Sequence, residues 1–308
     1  MKIMKKIGSI LFCLLPVLLA FAIQMVVSFA AVFLKIFLEI LKNRELFVGG
    51  ADPASITNSL LAPVMSSLMD SQFLAGISAV YAVIAAIALG FWYWKRFCPK
   101  KQPRRKISSI INPWMVGGLA LMMLGMQYIS TYVVMLLAVI NPGWYQTYEE
   151  LMKSVGFGDV TLVLAIYSVL IAPISEELIF RGVTMKYAAK AMPFVMANIM
   201  QAFLFGLFHA NMIQGTYAFV VGLFCGYVCY KGGSLYLSIL FHMMFNLWGT
   251  FAPSFLNYSG NSIPLHILIL GLAVCAAAAG IFLYLQGIKR RPPMEEIAAD
   301  GQSPYIEM

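Results

Sequence analysis

The stretch Leu170–Gly182, LIAPISEELIFRG, sets two adjacent glutamates, Glu176 and Glu177, and an arginine, Arg181, between apolar runs. It lies within residues 160–185, a block long enough for a helix across about 30 Å of hydrocarbon, which takes about 20 apolar residues. A charge at the bilayer centre costs about 2.5–3.5 kcal/mol on insertion scales, so three in one span need a physical reason. Glu177 and Arg181 are four residues apart with the acid first, the favourable order for an intrahelical ion pair. Glu176 is rotated about 100° away and faces elsewhere. The Glu177–Arg181 pair reads equally well as buried structural support. Glu176 has no such partner on its own helix and is the candidate for chemistry. Pro173 deletes a backbone hydrogen bond and crowds the preceding turn, which predicts a kink just outside the glutamates. Irregular backbone at membrane depth is tolerated where it lines a cavity.

The whole chain follows the pattern of this block. Its 308 residues are 61% apolar and 11% charged, with the apolar residues gathered into runs over 7–34, 73–94, 113–140, 160–185, 193–209, 213–231, 233–251 and 264–287. The fold class expected is all-α, a polytopic integral membrane helical bundle with about eight transmembrane helices. Residues 1–150 hold N-terminal transmembrane helices of unassigned role, 151–252 the core that carries the polar motifs, and 253–288 the last transmembrane helix. Residues 289–308, polar and with two consecutive prolines, read as a disordered cytoplasmic tail. The N-terminus resembles a signal peptide in having Lys2, Lys5 and Lys6 before an apolar run and Ala20-Phe21-Ala22 as a cleavage-like site. The run continues to Leu34, however, which favours a span.

Basic residues set the expected orientation. Lys2, Lys5 and Lys6, the loop WKRFCPKKQPRRK, Lys186, Lys190, Lys231 and Lys289-Arg290-Arg291 fall on one side. Lys35, Lys42, Arg44 and Lys153 fall on the other. Both termini are expected in the cytoplasm and the protein in the cell membrane. The net charge of +8 is then a matter of topology and calls for no nucleic-acid partner. The five cysteines form no C-x-x-C pair and suggest no disulfide framework.

The supply of proton-transfer groups inside the spans is small. His209 closes the fifth apolar block, four residues after Phe205, whose ring can pack beside it. His242 and Asn246 are four apart and share a face of the seventh block. His266 starts the eighth and reads as interfacial. Gly222 and Gly226 form a small-x-x-x-small face for close helix packing. Glu176, His209 and His242 together also make a His₂Glu set with an open position, as in catalytic zinc sites. The chain has no H-E-x-x-H zinc motif, no G-x-S-x-G nucleophile elbow and no paired intramembrane aspartates. A transporter would string ionisable groups along a pore and often carry inverted repeats; here they cluster in the second half, without a repeat.

Three motifs, EELIFR as E-E-x-x-x-R, FGLFH as F-x-x-x-H and HMMFN as H-x-x-x-N, occur in that order on three later spans. In this the chain resembles the CAAX prenyl endopeptidase and bacteriocin-processing (CPBP, or Abi) family of intramembrane proteases, over roughly Thr161 to Gly249. The resemblance implies peptide-bond hydrolysis within the membrane, in the eukaryotic branch on prenylated CAAX sequences. By that likeness Glu176 with His209 would activate a water, His242 with Asn246 would stabilise the oxyanion, and Glu177, Arg181 and Phe205 would support them. The expected partners are the bilayer and a peptide or protein substrate, entering a cavity open to the cytoplasm. No cofactor is expected, zinc on Glu176, His209 and His242 being the alternative. The family also includes members with immunity roles, so a non-catalytic membrane partner protein is the competing function.

Overall fold

The computed structural model describes residues 2–45, 52–98, 110–157, 159–252 and 262–291. Ten helices account for almost all of these residues: α1 (Lys2–Lys42), α2 (Pro53–Leu68), α3 (Ser71–Phe97), α4 (Pro113–Ile140), α5 (Pro142–Ser154), α6 (Leu162–Ala188), α7 (Phe194–Phe208), α8 (Met212–Gly232), α9 (Leu235–Phe251) and α10 (Ile263–Lys289). No strand occurs among the described residues. Six helices are long and apolar enough to span a bilayer, and α7 and α9 are shorter apolar helices. The eight apolar blocks of the sequence thus become helices of a multi-pass membrane bundle. Helix α1 runs unbroken through Ala22. The expected disordered tail falls almost wholly on residues 292–308, outside the described set.

Two helices were not among the expected spans. Helix α2 starts at Asp52, whose carboxylate accepts from Ser55 N at 2.9 Å. Helix α5 starts at Asn141, whose Oδ1 accepts from Gly143 N at 2.9 Å. Both use the short polar side chain and following proline that favour a helix start.

Asn112 caps α4 through its Oδ1 and donates from Nδ2 to the Gly287 carbonyl at 2.8 Å, tying the start of α4 to the end of α10. On α8 the expected close approach occurs. A Cβ on Gly222 would lie 3.1 Å from the Cβ of Ala202, and one on Gly226 would strike the Asn198 side chain. That proximity lets Asn198 Nδ2 donate to the Leu223 carbonyl at 3.0 Å and Gln201 Nε2 to the Gly222 carbonyl at 2.9 Å. Hydrogen bonds between helices of this kind supply what hydrophobic burial cannot when the surrounding solvent is lipid.

Candidate active site

Helix α6 carries the motif of two glutamates, and it is not α-helical throughout. Tyr167–Ile171 and Leu178–Thr184 are wound as π-helix on either side of the α-helical Ala172–Glu177. In π winding each N–H reaches the carbonyl five residues back. Ala172 N–H does so to the Tyr167 carbonyl. The next bond would run from residue 173 to Ser168, and Pro173 has no N–H to give. Asn246 on α9 fills the gap, donating from Nδ2 to the Ser168 carbonyl at 2.8 Å. The break expected at Pro173 therefore takes the form of π winding, with its orphaned carbonyl satisfied from another helix.

Glu177 is fully buried, and its Oε1 accepts from Arg181 Nη1 at 2.8 Å. Arg181, also fully buried, donates from Nη2 to the Gly222 carbonyl at 3.0 Å and stacks its guanidinium carbon 4.7 Å from the Phe205 ring centroid. The expected ion pair is present, but Glu177 is not Arg181's alone. The same Oε1 lies 2.9 Å from His242 Nδ1. A carboxylate can only accept, so Nδ1 carries the proton and His242 presents Nε2 to the other side. There Nε2 lies 3.5 Å from Glu176 Oε2. One histidine thus stands between the two adjacent glutamates.

His209 follows the last turn of α7. Its Nδ1 lies 2.9 Å from the Phe205 carbonyl, which again requires the proton on Nδ1 and leaves Nε2 with a lone pair in the neutral ring. The Phe205 ring meets both imidazoles edge-on, with centroids 4.9 Å from His209 and 5.7 Å from His242. Phe205 spaces the two histidines apart and aims each at a common volume.

That volume is a cavity of about 1360 Å³ whose wall includes Glu176, His209, His242, Asn246 and Phe205. Glu177 and Arg181 stand behind the wall. Counted as helical rise from the basic-loop end of each helix, Glu176 lies about 18 Å in, His242 about 10 Å and His209 about 22 Å, yet all three side chains line one cavity, with Glu176 Oε2 3.5 Å from His242 Nε2.

Beyond Glu176 the cavity wall is built from α5, the starts of α3, α6, α8 and α10 and the ends of α4, α7 and α9. This is the end of the bundle away from the basic loops. His266, read as interfacial, lies in the wall there with Nδ1 3.1 Å from Tyr132 Oη. Tyr81 on α3 was missed altogether. It is buried, lines the cavity, and its hydroxyl has no hydrogen-bond partner among the described residues. A tyrosine in an apolar run gives no sequence signal for such a position.

The donor set also bears on a metal. Glu177, Cys225 and His242 bring ligand atoms within 4.8 Å of one another, whereas Glu176, His209 and His242 do not form such a cluster among the described residues. In the first group Glu177 Oε1 already holds two protons' worth of donors, from Arg181 and His242, and a cation there would sit against the guanidinium. That group therefore does not fit a cation.

No curated protein and no solved structure matched the chain. A family model did: residues 158–248 match that described as type II CAAX prenyl endopeptidase Rce1-like. The segment that holds Glu176, Glu177, Arg181, His209, His242 and Asn246 is therefore an Rce1-like domain, of the endopeptidase family that the three motifs resemble.

Proposed function

We propose that the protein is an intramembrane endopeptidase that hydrolyses a peptide bond with a water activated by Glu176, without a metal. The observation that carries this reading is the 3.5 Å approach of Glu176 Oε2 to His242 Nε2 in the wall of a cavity shared with His209 and Asn246. A water between the Glu176 carboxylate and His209 Nε2 has two acceptors to orient it. Glu176 takes a proton as the water oxygen attacks the carbonyl carbon. The carbonyl oxygen becomes an oxyanion that needs preorganised donors. Asn246 has one Nδ2 hydrogen left after its bond to Ser168. His242 supplies another from Nε2 when the ring carries both protons, a form that hydrogen bonds to Glu177 on one side and faces Glu176 on the other. Collapse of the tetrahedral intermediate breaks the C–N bond, and the proton held by Glu176 passes to the leaving amine.

Glu177, Arg181 and Phe205 act through position. Glu177 fixes the ring of His242, Arg181 anchors Glu177 to α8, and Phe205 holds the histidines apart. Purified protein offered candidate peptides should lose cleavage in Glu176→Gln and in His209→Ala while both variants remain folded. Cleavage retained in both would end the reading and leave the competing one, a binding or immunity protein built on the same helices.

A further inference from the structure

The two ends of the bundle differ in charge and in access. Basic side chains from separate loops gather at one end, where they lie on aromatic rings and helix termini. Lys190 sits 4.8 Å from the Phe97 ring centroid, Arg290 4.0 Å from that of Trp114, and Arg291 Nη1 donates to the Gly232 carbonyl at 2.7 Å. The sequence that joins the end of α3 to the start of α4 at this end holds five further basic residues beyond Lys95 and Arg96. By the rule that short cytoplasmic loops collect Lys and Arg, it is the cytoplasmic end. The opposite end has few basic residues, and two of those are neutralised: Lys35 pairs with Glu39 at 3.0 Å and Lys153 with Glu149 at 3.1 Å.

The cavity is closed toward the basic end. Below Glu176 on α6, every residue from Ile179 to Ala188 is buried. Arg181, Phe180 and Met185 fill the space between α6 and its neighbours with no exposed surface. Toward the other end the wall continues through Ser78, Thr131, Tyr148, Gln214, Thr250 and His266, and none of its residues is a lysine or arginine. A polypeptide entering this way meets hydroxyls, amides and aromatic rings before it meets Glu176.

We infer that the site takes its substrate from the extracytoplasmic face, so that the peptide cleaved is an exported polypeptide segment and not a cytoplasmic one. This rests on the protease reading for the word cleaved, while the direction of access stands on charge and cavity shape alone.

The test uses single cysteines in the full-length protein, expressed in cells and treated with a membrane-impermeant maleimide. Cys13, Cys225 and Cys229 are buried, so a background of Cys98→Ala with Cys275→Ala leaves no exposed thiol. Thr147→Cys tests the exposed face of α5 at the rim. Thr131→Cys tests the wall, at a position whose hydroxyl bonds only to its own helix. A protein keeping Cys98 but not Cys275 reports the basic end. Labelling of Thr147→Cys and Thr131→Cys in intact cells, with Cys98 labelled only after permeabilisation, is the expected result. Cys98 labelled in intact cells with Thr147→Cys protected would overturn the proposal. So would Thr147→Cys labelled from outside with Thr131→Cys inert to the reagent, since the cavity would then not open there. Labelling needs no peptidase activity. Expected labelling together with cleavage that survives Glu176→Gln would therefore sink the catalytic reading alone.

Discussion

His242 Nδ1 lies 2.9 Å from Glu177 Oε1, so the second glutamate of the pair holds the imidazole whose other nitrogen faces the first. Glu177 thereby links the buried Arg181 to the cavity wall. Charge balance within this group, and not one ion pair, is what keeps two carboxylates and a guanidinium in an apolar bundle.

Removing one member of that group should be costly. Arg181→Met leaves Glu177 buried without its cation, and losing one partner of a buried pair costs about 3–5 kcal/mol. Replacing both, as Glu177→Leu with Arg181→Met, should recover much of this loss while releasing the ring of His242. Thermal unfolding in detergent reads the stability. A double variant no more stable than either single one would show that the pair is not the unit.

Asn246 and Pro173 should be coupled. Pro173→Ala restores an N–H that can reach the backbone carbonyl now served by Asn246. The stability lost in Asn246→Ala should then be smaller in the Pro173→Ala background, with a coupling of about 0.5–3 kcal/mol, the range for residues that share a partner. Additive losses in the double-mutant cycle would mean that Asn246 is not substituting for the proline.

Gly226 is needed for the approach of α7 to α8. Gly226→Val forces the Asn198 side chain aside and should destabilise by about 1–3 kcal/mol, the usual range for overpacking. The effect should appear as a lowered unfolding temperature. An unchanged transition would remove the close-packing account of that helix pair.

Much of the fold is written in the sequence, because lipid imposes a simple demand. A segment that crosses it must be long, apolar and internally hydrogen bonded. The eight blocks, including the short α7 and α9, are legible for that reason. The intrahelical spacing of Glu177 with Arg181 is legible because it is local. The bond from His242 to Glu177 is not, since it joins helices 65 residues apart. Nor is the π winding of α6, which depends on Asn246 arriving from α9 to satisfy Ser168. The direction in which the cavity opens depends on where α5 and the helix ends sit together, and no single segment encodes it.

Metal chelation should leave activity unchanged. Glu176, His209 and His242 do not bring three ligand atoms within 4.8 Å of one another among the described residues, and the group that does, at Glu177, already holds the Arg181 guanidinium. Incubation with EDTA followed by a peptidase assay checks this. Loss on chelation that zinc restores would show that the side chains rearrange around an ion.

The most direct test of the central claim compares new peptide N-termini in cells expressing the wild-type protein, Glu176→Gln or His242→Ala at equal membrane abundance. The account predicts a set of termini present only with the wild type and lost in both variants. The same termini produced by Glu176→Gln would contradict it.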